Sequence, residues 1–249
     1  MRRVTRRYSE YDAFARMYNL HWGQQSAKHL ELLDTAVLGR LPPPARVLDL
    51  CCGTGQLAHA LSERGYTVLG IDGSEEMLSY ARTNAPGAQF QLADARDFEV
   101  QDPFDAVVSL YDSLNHLMSE AELAGAFRSA ALALRPGGLF AFDLNMEAKY
   151  LGLWAGEFQV VGEEEVAIVR ASVDPDAKRG HFDATIFYAE GEERWSRQDV
   201  HLEQTWYSEE EVRQLLAAAE FEAPSTHVRQ PMPDDQGAAN LLFVTARTQ

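Results

Sequence analysis

Cysteine, positive charge and long apolar runs are all scarce in this chain, and each scarcity removes a class of explanation. Cys51 and Cys52 are the only cysteines in 249 residues. Adjacent residues cannot staple distant parts of a chain, so a disulfide framework and a cysteine-rich metal site are both excluded. Lys and Arg number 22 against 38 Asp and Glu, a formal net charge of −16, which argues against a polyanion-binding surface and against nucleic acid as a partner. The strongest apolar runs are broken by charge, Pro or Gly within about eight residues, far short of the roughly 20 that cross a bilayer. Residues 1–23 are basic and then aromatic, without the apolar stretch of a secretion signal. A cytoplasmic protein with no membrane partner is therefore expected.

The composition is ordinary for a globular chain, 46% hydrophobic and 24% charged, and the length suits one large or two small domains. Tyr8, Tyr11, Phe14, Ala15 and Tyr18 recur at helical spacing, and a second helical stretch runs from about Gln25 to Leu38. Residues 41–45, Leu-Pro-Pro-Pro-Ala, stiffen the approach to Arg46–Leu50, an apolar run that reads as a buried strand. Strand and helix then alternate: helix Thr54–Arg64, strand Thr67–Ile71, helix Ser74–Thr83, strand Ala88–Leu92, strand Phe104–Leu110, helix Glu120–Leu134 and strand Leu139–Asp143. Pro136, Gly137 and Gly138 stop the last of these helices. Apolar strands joined by helix-length crossovers predict an α/β fold with a mostly parallel sheet covered on both faces, its ligand beyond the strands' C-terminal ends.

After Asn145 the pattern changes. Phe158–Val161, Glu165–Val173, His181–Tyr188 and Arg194–Thr205 are rich in Val, Ile, Thr and aromatics and predict an inserted antiparallel sheet. Its turns fall at residues 174–180 and 190–192. Ser208 with Glu211 forms a capping-box signature for a helix to about Ala219. Strands near Thr226–Arg229 and Ala239–Thr245 flank a loop at 231–237. The organisation expected is 1–40 as leading helices, 41–249 as the core, and 157–205 as a substrate-side insertion.

Residues 47–55 read Val-Leu-Asp-Leu-Cys-Cys-Gly-Thr-Gly, a strand entering a glycine turn before a helix. Gly53 and Gly55 allow tight backbone geometry and close approach of a ligand, and the helix start offers free N–H groups. By itself Gly-x-Gly is also a common packing turn. No Lys follows it, so the phosphate-loop pattern of nucleoside triphosphatases fails. The next strand ends at Asp72, suited to a ribose diol or, alternatively, to capping the helix at Ser74. A dinucleotide dehydrogenase shares this much, but Ala58 stands where its third glycine belongs.

The ordered set extends through residues 70–78 (Gly-Ile-Asp-Gly-Ser-Glu-Glu-Met-Leu), Leu92-Ala-Asp-Ala95, Phe104-Asp-Ala-Val-Val108 and Leu134-Arg-Pro-Gly-Gly138. Together these resemble the class I S-adenosylmethionine-dependent methyltransferases of the small-molecule type, from about Ala45 to Asn145. The family's usual glycine is Cys51 here, leaving Gly53 and Gly55. The resemblance implies a Rossmann-like seven-stranded sheet in the order 3-2-1-4-5-7-6 with strand seven antiparallel. It also implies S-adenosyl-L-methionine as cofactor and S-adenosyl-L-homocysteine as product. Asp49 and the backbone from Cys51 to Gly55 would line the methionine side, Asp72 would hold the ribose, and Gly73 and Met77 would form the adenine floor and edge. Asp94 would accept from the adenine amino group and Ala95 would donate a backbone N–H. Residues 110–117 would form the junction of cofactor and acceptor, with Leu110 on the cofactor side and Tyr111 and Asp112 facing transfer. Tyr11 and Tyr18 of the leading helix would cover the cofactor as a lid, although the same aromatic stripe also reads as plain core.

Methyl transfer from a sulfonium is a direct displacement dominated by positioning and desolvation. The candidates for proton handling are Tyr111, Asp112 and His116, and those for acceptor binding are Tyr111, Asn145, His181 and Tyr207, with His201 a further polar candidate. Asp143 reads either as a site residue or as the partner of nearby backbone groups. Trp154, Trp195, Trp206 and Tyr207 read equally as the insertion's core or an acceptor wall. The run at residues 163–165, Glu-Glu-Glu, reads as a solvated turn, and no His and carboxylate grouping has a persuasive ligand spacing, so no metal is expected. A small acceptor, with an amine or amino sugar preferred, is expected. The alternative is a non-catalytic adenosyl-cofactor-binding or interaction protein. A homodimer is a candidate assembly.

Overall fold

The computed structural model describes residues 9–23, 30–191, 193–231 and 238–249. Tyr8, the start of the second helix at Gln25, Glu192 of one hairpin turn and loop residues 232–237 lie outside the described residues. The chain begins with helices α1 (Ser9–His21) and α2 (Leu30–Ala36). The alternating region follows as β1 (Arg46–Leu50), α3 (Gln56–Glu63), β2 (Thr67–Asp72), α4 (Glu75–Asn84), β3 (Gln89–Leu92), β4 (Phe104–Ser109), α5 (Glu120–Ala133) and β5 (Leu134–Asn145). A short helix α6 (Glu147–Lys149) and a wider turn (Tyr150–Trp154) lead into β6 (Gly156–Val161), β7 (Glu165–Asp174), β8 (Arg179–Ala189) and β9 (Trp195–Gln204). Helix α7 (Glu209–Ala218) and strands β10 (Ser225–Pro231) and β11 (Ala238–Ala246) complete it.

The large sheet has seven strands in the order β10-β11-β5-β4-β1-β2-β3. Strands β1 to β5 run parallel, and β11 is antiparallel to both neighbours. This is the expected 3-2-1-4-5-7-6 order, with β10 and β11 as the sixth and seventh strands. Alternate residues feed two cores, as a doubly covered sheet requires. Val47, Ala106, Val108 and Ala141 pack with Leu57 and Leu61 of α3. Leu48, Val107, Phe140 and Phe142 pack on the other face with Phe127 of α5 and Leu216 of α7. The expected capping box is present at α7: Ser208 Oγ accepts from the Glu211 N–H, and Glu211 accepts from the Ser208 N–H.

The inserted sheet is the antiparallel order β6-β7-β8-β9. It is covered on one face only, and its residues alternate accordingly. Ala167, Val169, Ala184, Ile186, Val200 and Leu202 are buried against Phe14 and Met17 of α1. Phe14 of the aromatic stripe joins this core beside Met17 and also reaches a cavity wall, while Tyr11 and Tyr18 turn toward the cavities below. Side-chain bonds tie α1 to the start of α4 and to the small sheet: Ser74 Oγ donates to Asp12 at 2.5 Å, and His21 Nε2 meets Glu165 Oε1 at 2.9 Å. Glu165 is thus an anchor for α1 and not part of a solvated turn. No helix among the described residues is long and apolar enough to cross a membrane.

Candidate active site

The C-terminal ends of β1, β2 and β4 converge beneath α1. The turn after β1 is left-handed at Cys51 (φ 61°), Gly53 (φ 53°) and Gly55 (φ 85°), a conformation open to glycine and costly for Cys51 by roughly 1–2 kcal/mol. A Cβ at Gly55 would lie 2.9 Å from the Cα of Ala81 on α4, so Gly55 serves helix packing and does not line the cavity. Gly53 does line it, and its N–H donates to Asp72 Oδ2 at 2.9 Å. The Ser74 N–H donates to Asp72 Oδ1 at 2.9 Å. The cap of α4 is Ser74, whose hydroxyl accepts from the Met77 N–H; Asp72 braces that cap residue, and its carboxylate, facing the cavity, keeps lone pairs for hydroxyl donors. Burial pushes its carboxyl up, and the N–H groups of Ser74, Gly53 and Gly73 pull it back.

The cavity brings together Tyr11, Tyr18, Cys51, Gly53, Asp72, Gly73, Met77, Ala95, Tyr111 and His116, and adds Leu50, Ile71, Ala93 and Ser113. A side branch past Cys51 reaches Asp49 and Leu110. Asp49 is 2% exposed, and its Oδ2 has no hydrogen-bond partner. Burial, then the nearby Asp72 carboxylate, pushes the Asp49 carboxyl up to about 8. The Ala58 N–H opposes that rise, and the one carboxyl oxygen left unpaired in the buried site calls for a cationic or donor ligand. A ribose acceptor at Asp72 and an ammonium acceptor at Asp49, joined by a turn without a side chain at Gly53, fit an adenosyl amino acid.

A second cavity shares Tyr11, Tyr18, Tyr111 and His116 with the first and is walled by Phe14, Trp22, Trp154, Phe182 and Leu202. Its polar groups are Asp112, His116 and Gln204. His116 Nδ1 sits 2.7 Å from the carbonyl oxygen of Glu203 and can only donate there, which leaves Nε2 as the acceptor. Nε2 receives the Tyr11 hydroxyl at 2.6 Å and Gln204 Nε2 at 3.1 Å. Gln204 also donates to Asp112 Oδ2 at 2.6 Å. Burial holds His116 below the ordinary histidine range, opposed by the Asp112 carboxylate and the Glu203 carbonyl. Burial likewise keeps the Tyr11 phenol neutral.

Tyr111 (φ 70°) and Asp112 (φ 48°) are consecutive left-handed residues. Such backbone persists only where its surroundings over-determine it. Here the Asp112 N–H donates to Asp143 Oδ1 at 3.1 Å. Asp143 is fully buried, paired with Arg229 and bonded by Asn240 Nδ2 at 3.2 Å. Of the two readings of Asp143, the backbone partner is the one seen.

Besides Gly55, four expected site residues stand elsewhere. The Asp94 carboxylate is directed to Arg96, which also binds Glu122 at 2.7 Å, so the flanking Ala93 and Ala95 line the cavity and Asp94 does not. Asn145, 3% exposed, lies behind the cavity, bonded to Asn115 and Asn240. His181 points to the opposite face of β8 because its neighbour Phe182 points inward. Tyr207 packs in the core of the large sheet and donates its hydroxyl to the Leu117 carbonyl. Of the four aromatic candidates, Trp154 joins the acceptor-side wall, Trp206 stacks on Tyr150, and Trp195 is 49% exposed. Gln204, Phe182, Leu202 and Trp22 are site residues that sequence reasoning missed; no contiguous motif marks them.

Comparison with known proteins agrees with this geometry. The family described as "Methyltransferase domain" matches residues 47–138. A putative methyltransferase of Bacillus subtilis (strain 168) is 32% identical over 186 residues, 73% of this chain and 75% of that protein. A dTDP-3-amino-3,6-dideoxy-alpha-D-glucopyranose N,N-dimethyltransferase of Streptomyces fradiae is 32% identical over 173 residues, 66% of this chain and 67% of that one. The X-ray structure of a sugar N-methyltransferase from Streptoalloteichus sp. ATCC 53650 superposes with a TM-score of 0.78 at 26% identity, covering 94% of this chain and 92% of that one. The alternative of a non-catalytic protein gains no support from these relatives. With its strand order, its glycine turn and these relatives, the chain belongs to the class I S-adenosylmethionine-dependent methyltransferases.

Proposed function

We propose that this enzyme methylates the amine of a small molecule, with an amino sugar as the preferred class. The observation that carries the reading is the junction of the two cavities, where His116 Nε2 and the Tyr11 hydroxyl stand together. Bound S-adenosylmethionine supplies an activated methyl group on sulfur, so the protein's share is alignment and exclusion of water. A hydroxyl or phenol acceptor needs a competent base, whereas a neutral amine is nucleophilic as it stands. His116, weakened as a base by burial, suits the amine: when the acceptor's N–H takes the place of the Tyr11 hydroxyl on Nε2, that lone pair orients the N–H and takes up the proton released on transfer. Gln204 and Asp112 hold that imidazole and complete the polar side of the cavity. Phe14, Trp22, Trp154 and Phe182 offer flat apolar faces suited to the ring of a deoxysugar.

On the cofactor side, Asp72 is assigned the ribose hydroxyls and Asp49 the ammonium group. Tyr18, Cys51 and Gly53 are assigned the methionine side, and Gly73, Met77 and Ala95 the adenine. Helix α1, carrying Tyr11 and Tyr18 across both cavities, is assigned the lid. The names of the Streptomyces fradiae and Streptoalloteichus relatives, both acting on sugar nitrogen, support the acceptor class. The test is mass-spectrometric detection of product from matched panels of amino sugars and hydroxyl analogues with S-adenosylmethionine. Methylation on nitrogen is the expected result. Transfer confined to oxygen or carbon would overturn the amine reading.

A further inference from the structure

On the solvent face of the four-stranded sheet, the register of β8 and β9 sets His181 opposite Glu203 and Asp183 opposite His201. The two histidines occupy one diagonal of this square, their rings stacked at 5.7 Å and 24°, and the two carboxylates occupy the other. His181 Nδ1 lies 3.2 Å from Glu203 Oε1, and His201 Nε2 lies 3.9 Å from the same oxygen. One donor atom from each of these three residues falls within 4.8 Å of the others. Donors on a tetrahedral zinc ion, with bonds of about 2.0–2.2 Å, stand about 3.3–3.5 Å apart. Small side-chain rotations therefore convert the trio into three corners of such a site.

A second observation is independent of that spacing. His201 Nδ1 lies 2.6 Å from Asp183 Oδ1. A carboxylate that takes the Nδ1 proton fixes the tautomer in which Nε2 carries a lone pair, the arrangement found behind metal-bound histidines. That lone pair faces Glu203 Oε1, and a cation between the two electron-rich atoms satisfies both.

We propose that His181, His201 and Glu203 form a binding site for a divalent transition metal of the zinc type, with Asp183 orienting His201 and water completing the coordination. Imidazole with carboxylate suits Zn²⁺ or Co²⁺ better than Mg²⁺ or Ca²⁺. The site is separate from methyl transfer, because these side chains lie on the outer face while Gln204 faces the cavity. It touches the cavity through two backbone carbonyls, that of Glu203, which accepts from His116, and that of His181, which accepts from the Trp154 indole N–H at 3.1 Å. A metal here clamps β8 to β9, the two strands that carry Phe182, Leu202 and Gln204.

A proton is the rival occupant, since a doubly protonated His201 would bridge Asp183 and Glu203. The discriminating experiment titrates the metal-free full chain with Co²⁺ at about pH 7.5 and follows the visible absorption of the bound ion. Equilibrium dialysis against Zn²⁺ gives the stoichiometry. One metal per chain is expected, with affinity at least ten-fold lower in His181→Ala and His201→Ala and about ten-fold lower in Asp183→Asn. His227→Ala, on β10, should keep wild-type uptake, and circular dichroism verifies that each variant is folded. No uptake by the wild type, or undiminished uptake by the folded His181→Ala/His201→Ala double variant, would overturn the proposal.

Discussion

The two sheets divide the work of the site and were built by different rules. The large sheet is parallel around β1, buried on both faces, and delivers its site at strand ends, so Gly53, Asp72 and Ala95 each follow a strand in short contiguous motifs. The small sheet is antiparallel and one-faced, and it delivers Phe182, Leu202 and Gln204 from strand interiors, by alternation and register. Cofactor chemistry is therefore legible in local sequence, and acceptor chemistry is not. The glycine turn serves any adenosyl ligand, whereas each pairing in the small sheet can be altered without touching it.

The largest effect that breaks this division is expected at Asp72. Asp72→Ala removes both the brace on the Gly53 turn and the proposed ribose acceptor, and calorimetry should find cofactor affinity lower by about 100-fold or more in a folded protein. Acceptor-side substitutions should behave oppositely. Gln204→Leu releases His116 and Asp112 together, and turnover should fall about 10- to 100-fold with cofactor affinity unchanged within about two-fold. The acid limb of the turnover profile should lie below the ordinary histidine value of about 6.5, because burial favours neutral His116. His116→Ala should remove that limb, as measured in a pH series at saturating cofactor.

Asp49 sharpens the comparison, because function and stability pull apart there. Its carboxyl is raised from 3.8 to about 8 in the folded chain. A raised acid binds more protons folded than unfolded, so its contribution is intact below about pH 4 and is lost as the pH climbs to about 8. Asp49→Asn should therefore raise the melting temperature of the ligand-free protein by a few degrees at neutral pH, on the order of 1 kcal/mol, while weakening the cofactor about ten-fold. Wild-type cofactor affinity should rise with pH toward about 8 as the carboxylate forms, and Asp49→Asn should flatten that slope. The smallest effect is expected at the α1 anchor. Glu165→Gln weakens the bond to His21 and should raise the Michaelis constant of the acceptor about two-fold.

The crossover pattern and the inserted sheet are legible in the sequence because apolar runs, glycine turns and caps are local signals, whereas the strand order came from the family resemblance. Sequence reasoning set Asp94 at the adenine through the family resemblance and Tyr207 beside the acceptor, whereas the Asp94 carboxylate is turned to Arg96 and the Tyr207 hydroxyl to a backbone carbonyl in the core. It expected His181 beside the acceptor because inward and outward faces follow from register, which Phe182 and not His181 obeys toward the cavity. The same register assembles His181, His201 and Glu203 from positions with no linear spacing to announce them. Gln204 was invisible for the same reason: its partners Asp112 and His116 belong to the loop after β4.

The division between the sheets is tested most directly by a crystal structure of the enzyme with S-adenosylhomocysteine. The account predicts the ribose on Asp72, the ammonium at Asp49, and the sulfur opening toward His116 and the aromatic chamber roofed by Phe182. A ligand whose sulfur faces away from that chamber, or whose ribose lies apart from Asp72, would contradict it.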